Sequence, residues 1–148
     1  MHPSVCHFFA VNQREGVALL RSISALPGIR HVRVASGVRF DLALKDDEAL
    51  FAYTSEFTGG QLKVAPEHVD DAVLELMRKP SLAVFEQFLQ RFAASCRSSD
   101  KELYTVPYLM SAVPGRPEAH MRGASPRVAS RNQSTDTGRC FFSPPRVV

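Results

Sequence analysis

The sequence has no tryptophan, few cysteines and no long hydrophobic run, and the scarcity of cysteine and of apolar runs excludes several classes of protein. Its three cysteines, Cys6, Cys96 and Cys140, lie far apart, so they form neither a disulfide framework nor a Cys-x-x-Cys metal or redox site. No stretch approaches the roughly 18 consecutive apolar residues of a membrane span, and the first residues lack the basic-then-apolar order of a signal peptide. These features predict a cytoplasmic protein with reduced thiols.

The chain of 148 residues is too short for a complete eightfold β/α barrel, which typically needs about 250 residues. Its composition, 45% hydrophobic and 22% charged, is typical of a globular domain. Length and composition together therefore predict a single domain with a substantial core.

Charge is distributed unevenly along the chain. Residues 1–113 carry 12 lysines and arginines against 13 acidic residues, whereas residues 114–148 carry six arginines against two acidic residues. Proline, serine and glycine are frequent in the second segment. We therefore predict a folded body at 1–113 and an Arg/Pro/Ser-rich tail at 114–148 that is disordered or frameshifted. The arginines of the tail are spaced singly, which does not favour a specific nucleic-acid site.

Apolar spacing and breaker residues divide the body into alternating helices and strands. Helices are predicted over residues 14–26, 42–57, 69–77 and 82–96. Strands are predicted over residues 31–35, 61–65 and 103–110, with Pro66 ending the second. Strands that alternate with helices of this length indicate an α/β fold with a parallel sheet. In such sheets the chemistry lies at the carboxyl ends of the strands.

Four segments in order carry a more specific pattern. They are residues 26–44 (LPGIRHVRVASGVRFDLAL), 59–68 (GGQLKVAPEH), 73–80 (VLELMRKP) and 104–111 (YTVPYLMS). Each resembles a successive segment of the YgiQ-type radical S-adenosylmethionine (SAM) proteins, and the resemblance covers about residues 2–115. It implies that the chain is the later part of a partial radical SAM barrel with parallel strands.

The resemblance also implies cofactors. Members of that family bind a 4Fe-4S cluster and SAM, and together these generate a 5′-deoxyadenosyl radical that acts on a substrate. The Cys-x-x-x-Cys-x-x-Cys loop that holds the cluster is absent from this sequence. We therefore expect the chain alone to be inactive, with the missing remainder of a parent enzyme as its partner and SAM as its small-molecule ligand.

The resemblance stops near Val113, where the charge balance and the helical periodicity also change. We interpret this change as damage to the gene, with a truncation near Met1 and a frameshift between about Ala112 and Arg116. The alternative is a natural disordered tail.

Five residues at predicted strand ends are candidate cofactor-binding residues: Ser36, Arg39, Lys63, Glu67 and Tyr108. Ser36 and Arg39 can hold a ribose or a carboxylate by hydrogen bonds and a bidentate ion pair. Glu67 can orient a ribose hydroxyl or an amino group, and Lys63 can pair with it or with a carboxylate. Tyr108 can stack on adenine. No catalytic residue is predicted among them.

Each candidate also has a purely structural interpretation. Arg39 can form a surface ion pair with Asp41, and Glu67 with His68 can begin the next helix as a solvated cap. His68 itself is expected to be a hydrogen-bonded turn residue, and Tyr108 can be a packing residue.

Two functions therefore stay open. The chain is either a fragment of a radical SAM enzyme or a free-standing, non-catalytic α/β binding module with a basic tail. A metal site is not predicted, because the one cluster of cysteine and histidine, at His2, Cys6 and His7, has no fourth ligand.

Overall fold

A computed structural model of the chain describes residues 8–34, 37–99, 101 and 103–110. Within these ranges five helices and two strands follow in the order α1 (Gln13–Ser24), α2 (Phe40–Ala43), α3 (Asp47–Ser55), β1 (Gln61–Glu67), α4 (Asp71–Leu76), α5 (Leu82–Ser99) and β2 (Tyr104–Leu109). The predicted tail at 114–148 lies outside the described residues, as does the cluster of His2, Cys6 and His7. None of the helices in these ranges is long and apolar enough to cross a membrane.

The two strands form a parallel sheet. Gln61 lies opposite Tyr104, and Val64 lies opposite Pro107. Helices α4 and α5 connect the strands, because parallel neighbours need a crossover connection. The described residues thus confirm the α/β class and the parallel pairing, whereas the partial barrel stays a prediction.

The strand β1 does not end at Pro66 as predicted. Its pairing with β2 shifts after Val64, and Glu67 lies opposite Leu109. Proline has no amide hydrogen to donate, so the irregularity accommodates Pro66 and lets the strand continue to Glu67.

Burial along β1 alternates and gives the sheet two different faces. Leu62 and Val64 are buried, whereas Gln61, Lys63 and Ala65 are exposed. The buried face packs against a cluster of aromatic rings from α2 and α5, namely Phe40, Phe85, Phe88 and Phe92. Neighbouring rings in this cluster have centroids 5.4 to 6.1 Å apart. The helices therefore cover one face of the sheet and leave the face of Lys63 exposed.

Helices α1 and α3 pack together through a second, smaller cluster and a shared carboxylate. Asp46 caps α3, because its side chain accepts hydrogen bonds from the amides of Glu48 and Ala49, both at 3.1 Å. The same side chain accepts a hydrogen bond from Arg14 Nε at 2.6 Å, which lowers the pKa of Asp46. Asp46 therefore also links α3 to α1 through its hydrogen bond from Arg14.

Two further predictions about elements were wrong. The single helix predicted over 42–57 is two helices, because Asp46 caps a new one. Residues 31–34 do not form the predicted strand, and Ala35 lies outside the described residues. The one backbone hydrogen bond found for 31–34 runs from the amide of Val34 to the carbonyl of Phe57, at 3.0 Å. A single hydrogen bond of this kind does not make a strand ladder.

Candidate functional site

A cavity of about 450 Å³ lies beside the carboxyl-terminal half of β1. Its wall is made by residues 37–41, Ala65 and residues 78–80. Small-molecule sites commonly have volumes of about 300 to 1,000 Å³, so the cavity is large enough for a ligand. Three cations, Arg39, Arg78 and Lys79, line it together with one acidic residue, Asp41.

Gly37 brings one wall of the cavity against the strand. A Cβ atom at this position would lie 2.6 Å from the carbonyl oxygen of Lys63, which is closer than real Cβ contacts. The backbone at Gly37 therefore approaches β1 at a distance that only glycine permits. This close approach brings the segment that carries Arg39 alongside β1.

Arg39 is held by the carboxylate of Asp41. Its Nε lies 2.9 Å from Oδ1 of Asp41, and its Nη2 lies 3.0 Å from Oδ2. These hydrogen bonds raise the pKa of Arg39. The side chain of Asp41 is only 9% exposed, whereas that of Arg39 is 58% exposed. The ion pair of the structural interpretation is thus formed, yet Nη1 of Arg39 makes no hydrogen bond to any described residue.

Arg78 and Lys79 lie in the cavity wall because of the way α4 ends. The amide of Arg78 donates to the carbonyl of Glu75 at 3.0 Å, and the amide of Lys79 donates to the carbonyl of Leu74 at 2.8 Å. These two bonds, with a φ of 55° at Arg78, make a Schellman motif that ends the helix. Pro80 follows and prevents the helix from continuing.

Glu67 lies beside Lys79, which lines the cavity. Its Oε1 is 3.1 Å from Nζ of Lys79, and its backbone carbonyl accepts a 2.7 Å hydrogen bond from the amide of Met110. Glu67 also has a positive φ, of 70°. The position of the Glu67 carboxylate is therefore set by its ion pair with Lys79 and by the left-handed backbone of Glu67.

His68 is a buried turn residue rather than part of a solvated cap. It is 3% exposed, and its Nδ1 accepts a 3.0 Å hydrogen bond from the amide of Asp70. The cap of α4 is Asp70, whose side chain accepts from the amide of Ala72. This arrangement agrees with the prediction of a hydrogen-bonded turn.

The structure brings only some of the predicted site residues together. Arg39 lies in the cavity wall, and Glu67 contacts that wall through Lys79. Lys63 lies on the exposed face of β1, two residues before Ala65, and Tyr108 is half-buried in β2 outside the wall. Ser36 lies outside the described residues.

Sequence reasoning assigned no binding role to Arg78 or Lys79, although both line the cavity. The available signal was a basic pair followed by Pro80 at the end of an amphipathic helix. That signal indicates where a helix ends, but not that its end folds back towards β1.

The fold and the cavity define an α/β unit with a cationic site at the end of a parallel strand, and comparison with known proteins adds a family. The chain is 42% identical over 115 residues to a UPF0313 protein of Geobacter sulfurreducens and 40% identical over 115 residues to one of Methanosarcina acetivorans. Each match covers 78% of this chain. A UPF0313 protein of Shewanella oneidensis is 31% identical over 145 residues, or 98% of the chain. The chain belongs to the UPF0313 family.

The relatives are much longer than this chain. It spans 19% of the Geobacter protein, 16% of the Methanosarcina protein and 18% of the Shewanella protein. No family model matches the chain. No solved structure matches it either.

Proposed function

We propose that this chain is the segment of a radical SAM enzyme that contributes SAM-binding residues at the carboxyl end of β1. The proposal is supported by the UPF0313 match together with the resemblance to YgiQ-type radical SAM proteins. The observation that carries it is the position of Arg39 in the cavity wall, with one edge of its guanidinium already fixed by Asp41.

A fixed guanidinium is well suited to bind a carboxylate. Asp41 takes the Nε and Nη2 edge of Arg39, which leaves Nη1 and the second hydrogen of Nη2 for another acceptor. The carboxylate of SAM would accept both, in the bidentate geometry that arginine favours. Because Asp41 already restricts the side chain, binding would lose little further rotamer freedom.

The proposal gives each of the other candidates its own contact with SAM. Glu67, held by Lys79, would accept hydrogen bonds from a ribose hydroxyl or an amino group. Lys63 would pair with a carboxylate on the exposed face of β1, and Tyr108 would stack on adenine. Ser36 would donate to a ribose or a carboxylate.

The residues that the structure describes do not fit a 4Fe-4S cluster. In the described ranges no three His, Cys, Asp or Glu side chains are grouped so that they could hold a metal ion. Cys96 lies half-buried in α5, and burial raises the pKa of its thiol, which opposes the thiolate form that a cluster needs. In our proposal the rest of a longer protein supplies the cluster.

Equilibrium dialysis of the full chain against radiolabelled SAM tests this function. We expect saturable binding that weakens by about 10- to 100-fold in Arg39→Gln, because a hydrogen-bonded charge pair is lost. Arg30→Gln is the matched control, since it removes one exposed positive charge outside the cavity wall. Equal binding by the two variants would contradict the proposal.

The second candidate is a free-standing, non-catalytic α/β binding module. The observation that favours it is a ligand-sized cavity in a chain whose described residues include no group of side chains that could hold a metal ion. In the same dialysis, the module interpretation expects AMP, which has no sulfonium or amino-acid group, to bind as tightly as SAM. The enzyme interpretation expects SAM to bind more tightly.

A further inference from the structure

The three cations of the cavity wall differ in how their charges are neutralised. Arg39 is paired with Asp41, and Lys79 is paired with Glu67. The side chain of Arg78 makes no hydrogen bond or ion pair with any residue that the structure describes, and it is exposed. The cavity therefore presents one uncompensated guanidinium beside a lysine whose ammonium has two further N–H donors.

The backbone at Arg78 is left-handed, a conformation that favours glycine over residues with long side chains. Among the described residues, only Arg78 and Glu67 combine a side chain with a positive φ, at 55° and 70°. Arg78 lines the cavity, and Glu67 contacts the cavity wall through its ion pair with Lys79. At the equivalent position of most Schellman motifs glycine is found, because it lacks the steric penalty.

Strained backbone of this kind clusters at ligand sites. Helix α4 has only six residues, and a cation at a short, exposed helix end interacts weakly with the helix dipole. Helix capping thus gives little reason for a large cationic side chain at this position. A ligand in the cavity gives a better one, since the wall holds three cations and one acidic residue and so attracts anions.

We propose that Arg78, assisted by Lys79, binds an anionic group of a small molecule in this cavity, either a carboxylate or a phosphate monoester. The guanidinium of Arg78 would donate two parallel hydrogen bonds to the oxyanion, and the ammonium of Lys79 would donate a third. Arg78 and Lys79 line the same cavity as Arg39, but the anion would be held by donors other than the Nη1 and Nη2 atoms of Arg39 that the proposed function gives to SAM. In a longer protein it would hold the acidic group of a substrate.

Equilibrium dialysis of the full chain against radiolabelled inorganic phosphate, and separately against radiolabelled acetate, tests the inference. Ionic strength is held constant with chloride, because exposed charges are screened by salt. We expect saturable binding that weakens at least tenfold in Arg78→Gly and is unchanged in Arg30→Gln. Glycine suits the backbone at this position, so Arg78→Gly is expected to fold, and a thermal midpoint no lower than that of the unaltered chain verifies this.

The two probes distinguish the sources of the anion. Phosphate binding at least tenfold tighter than acetate binding indicates a phosphorylated ligand, whereas comparable binding indicates a carboxylate, and each supports the site. Absence of saturable binding of both anions, or equal binding by Arg78→Gly and the unaltered chain, would overturn it. Dialysis of Arg78→Gly against SAM separates this result from the proposed function, because SAM binding is expected to persist in this variant.

Discussion

Single residues at the carboxyl end of β1 combine strained backbone, close backbone contact and paired charges. Arg78 and Glu67 have left-handed backbones, and Gly37 lies against the carbonyl of Lys63. The left-handed backbones at Arg78 and Glu67 each lower stability relative to a relaxed alternative. Their concentration around one cavity is the residue-level argument that this end of the sheet binds a ligand.

Replacing Arg78 by glycine tests the backbone argument. We expect Arg78→Gly to raise the free energy of unfolding by about 0.5 to 1 kcal/mol, because relief of a left-handed backbone outweighs the added freedom of the unfolded chain. Arg78→Ala, which keeps the steric penalty, should give no such gain. Urea unfolding followed by circular dichroism measures both variants. A destabilised Arg78→Gly would show that the arginine side chain stabilises the fold.

Replacing Gly37 by alanine tests the close approach to β1. The added Cβ would meet the carbonyl oxygen of Lys63 at 2.6 Å, and the backbone there cannot move without disturbing the strand. We expect a loss of about 1 to 3 kcal/mol in the free energy of unfolding.

Gly59→Ala is the control for Gly37→Ala. The atoms nearest to its Cβ would belong to the side chain of Arg33, with Nε at 3.0 Å, and this side chain can shift by a few tenths of an ångström while it keeps its hydrogen bond to the carbonyl of Glu56. The free energy of unfolding should change by less than about 0.5 kcal/mol. Equal effects of the two substitutions in urea unfolding would contradict the packing of Gly37 on the strand.

At the scale of secondary structure, local signals predicted most elements, whereas pairing partners could not be predicted. Asp70 and Asp46 each precede a helix and cap it, as acidic residues at helix starts suggest. The prediction of one helix over 42–57 was wrong, because Asp46 caps a second helix that begins within this range. Residues 31–34 have strand-forming side chains, but whether such a segment joins a sheet depends on neighbours distant in sequence.

The ion pair of Asp46 predicts how the stability of the fold depends on pH. Its hydrogen bond from Arg14 lowers its pKa in the folded protein, so its contribution to stability is present above the unfolded pKa and is lost as the pH falls through the folded pKa. We expect the urea midpoint of the unaltered chain to exceed that of Asp46→Asn at pH 7. This difference should shrink as the pH falls below about 4.

The asparagine variant isolates the charge, because its side-chain oxygen can still accept the amides of Glu48 and Ala49. Asp46→Ala removes the cap as well and should unfold at a lower urea concentration than Asp46→Asn at both pH values. A difference between the unaltered chain and Asp46→Asn that is the same at pH 7 and pH 3 would contradict the role given to the ion pair.

The candidate site combines what could be predicted from the sequence with what could not. Arg39 and Glu67 could be predicted, because ligand sites form at the carboxyl ends of parallel strands. Arg39 lies in the cavity wall, and Glu67 contacts that wall through Lys79. Arg78 and Lys79 could not be assigned, because their place depends on how α4 ends and folds back, which no local pattern specifies. Tyr108 lies outside the cavity wall, since the face of a residue depends on the register of β2.

For the whole molecule, the chain spans less than a fifth of the length of each of the three UPF0313 proteins described above, and one face of β1 is exposed. Large apolar side chains such as Phe9, Leu19 and Leu26 are also exposed. These surfaces fit the proposal that the unit is completed by further protein. In that proposal the chain binds ligands, and activity requires cluster ligands that the chain does not have.

A chimera tests most directly whether this chain can serve as the SAM-binding segment of a radical SAM enzyme. The region of the Geobacter sulfurreducens UPF0313 protein that matches this chain is replaced by the corresponding residues of this chain, and the product is reconstituted with iron and sulfide. Under reduction we expect the chimera to cleave SAM to 5′-deoxyadenosine, with at least tenfold less product when it carries Arg39→Gln, and the isolated chain to form none. A reconstituted chimera that binds the cluster but cleaves no SAM, while the unaltered relative does, would contradict the account.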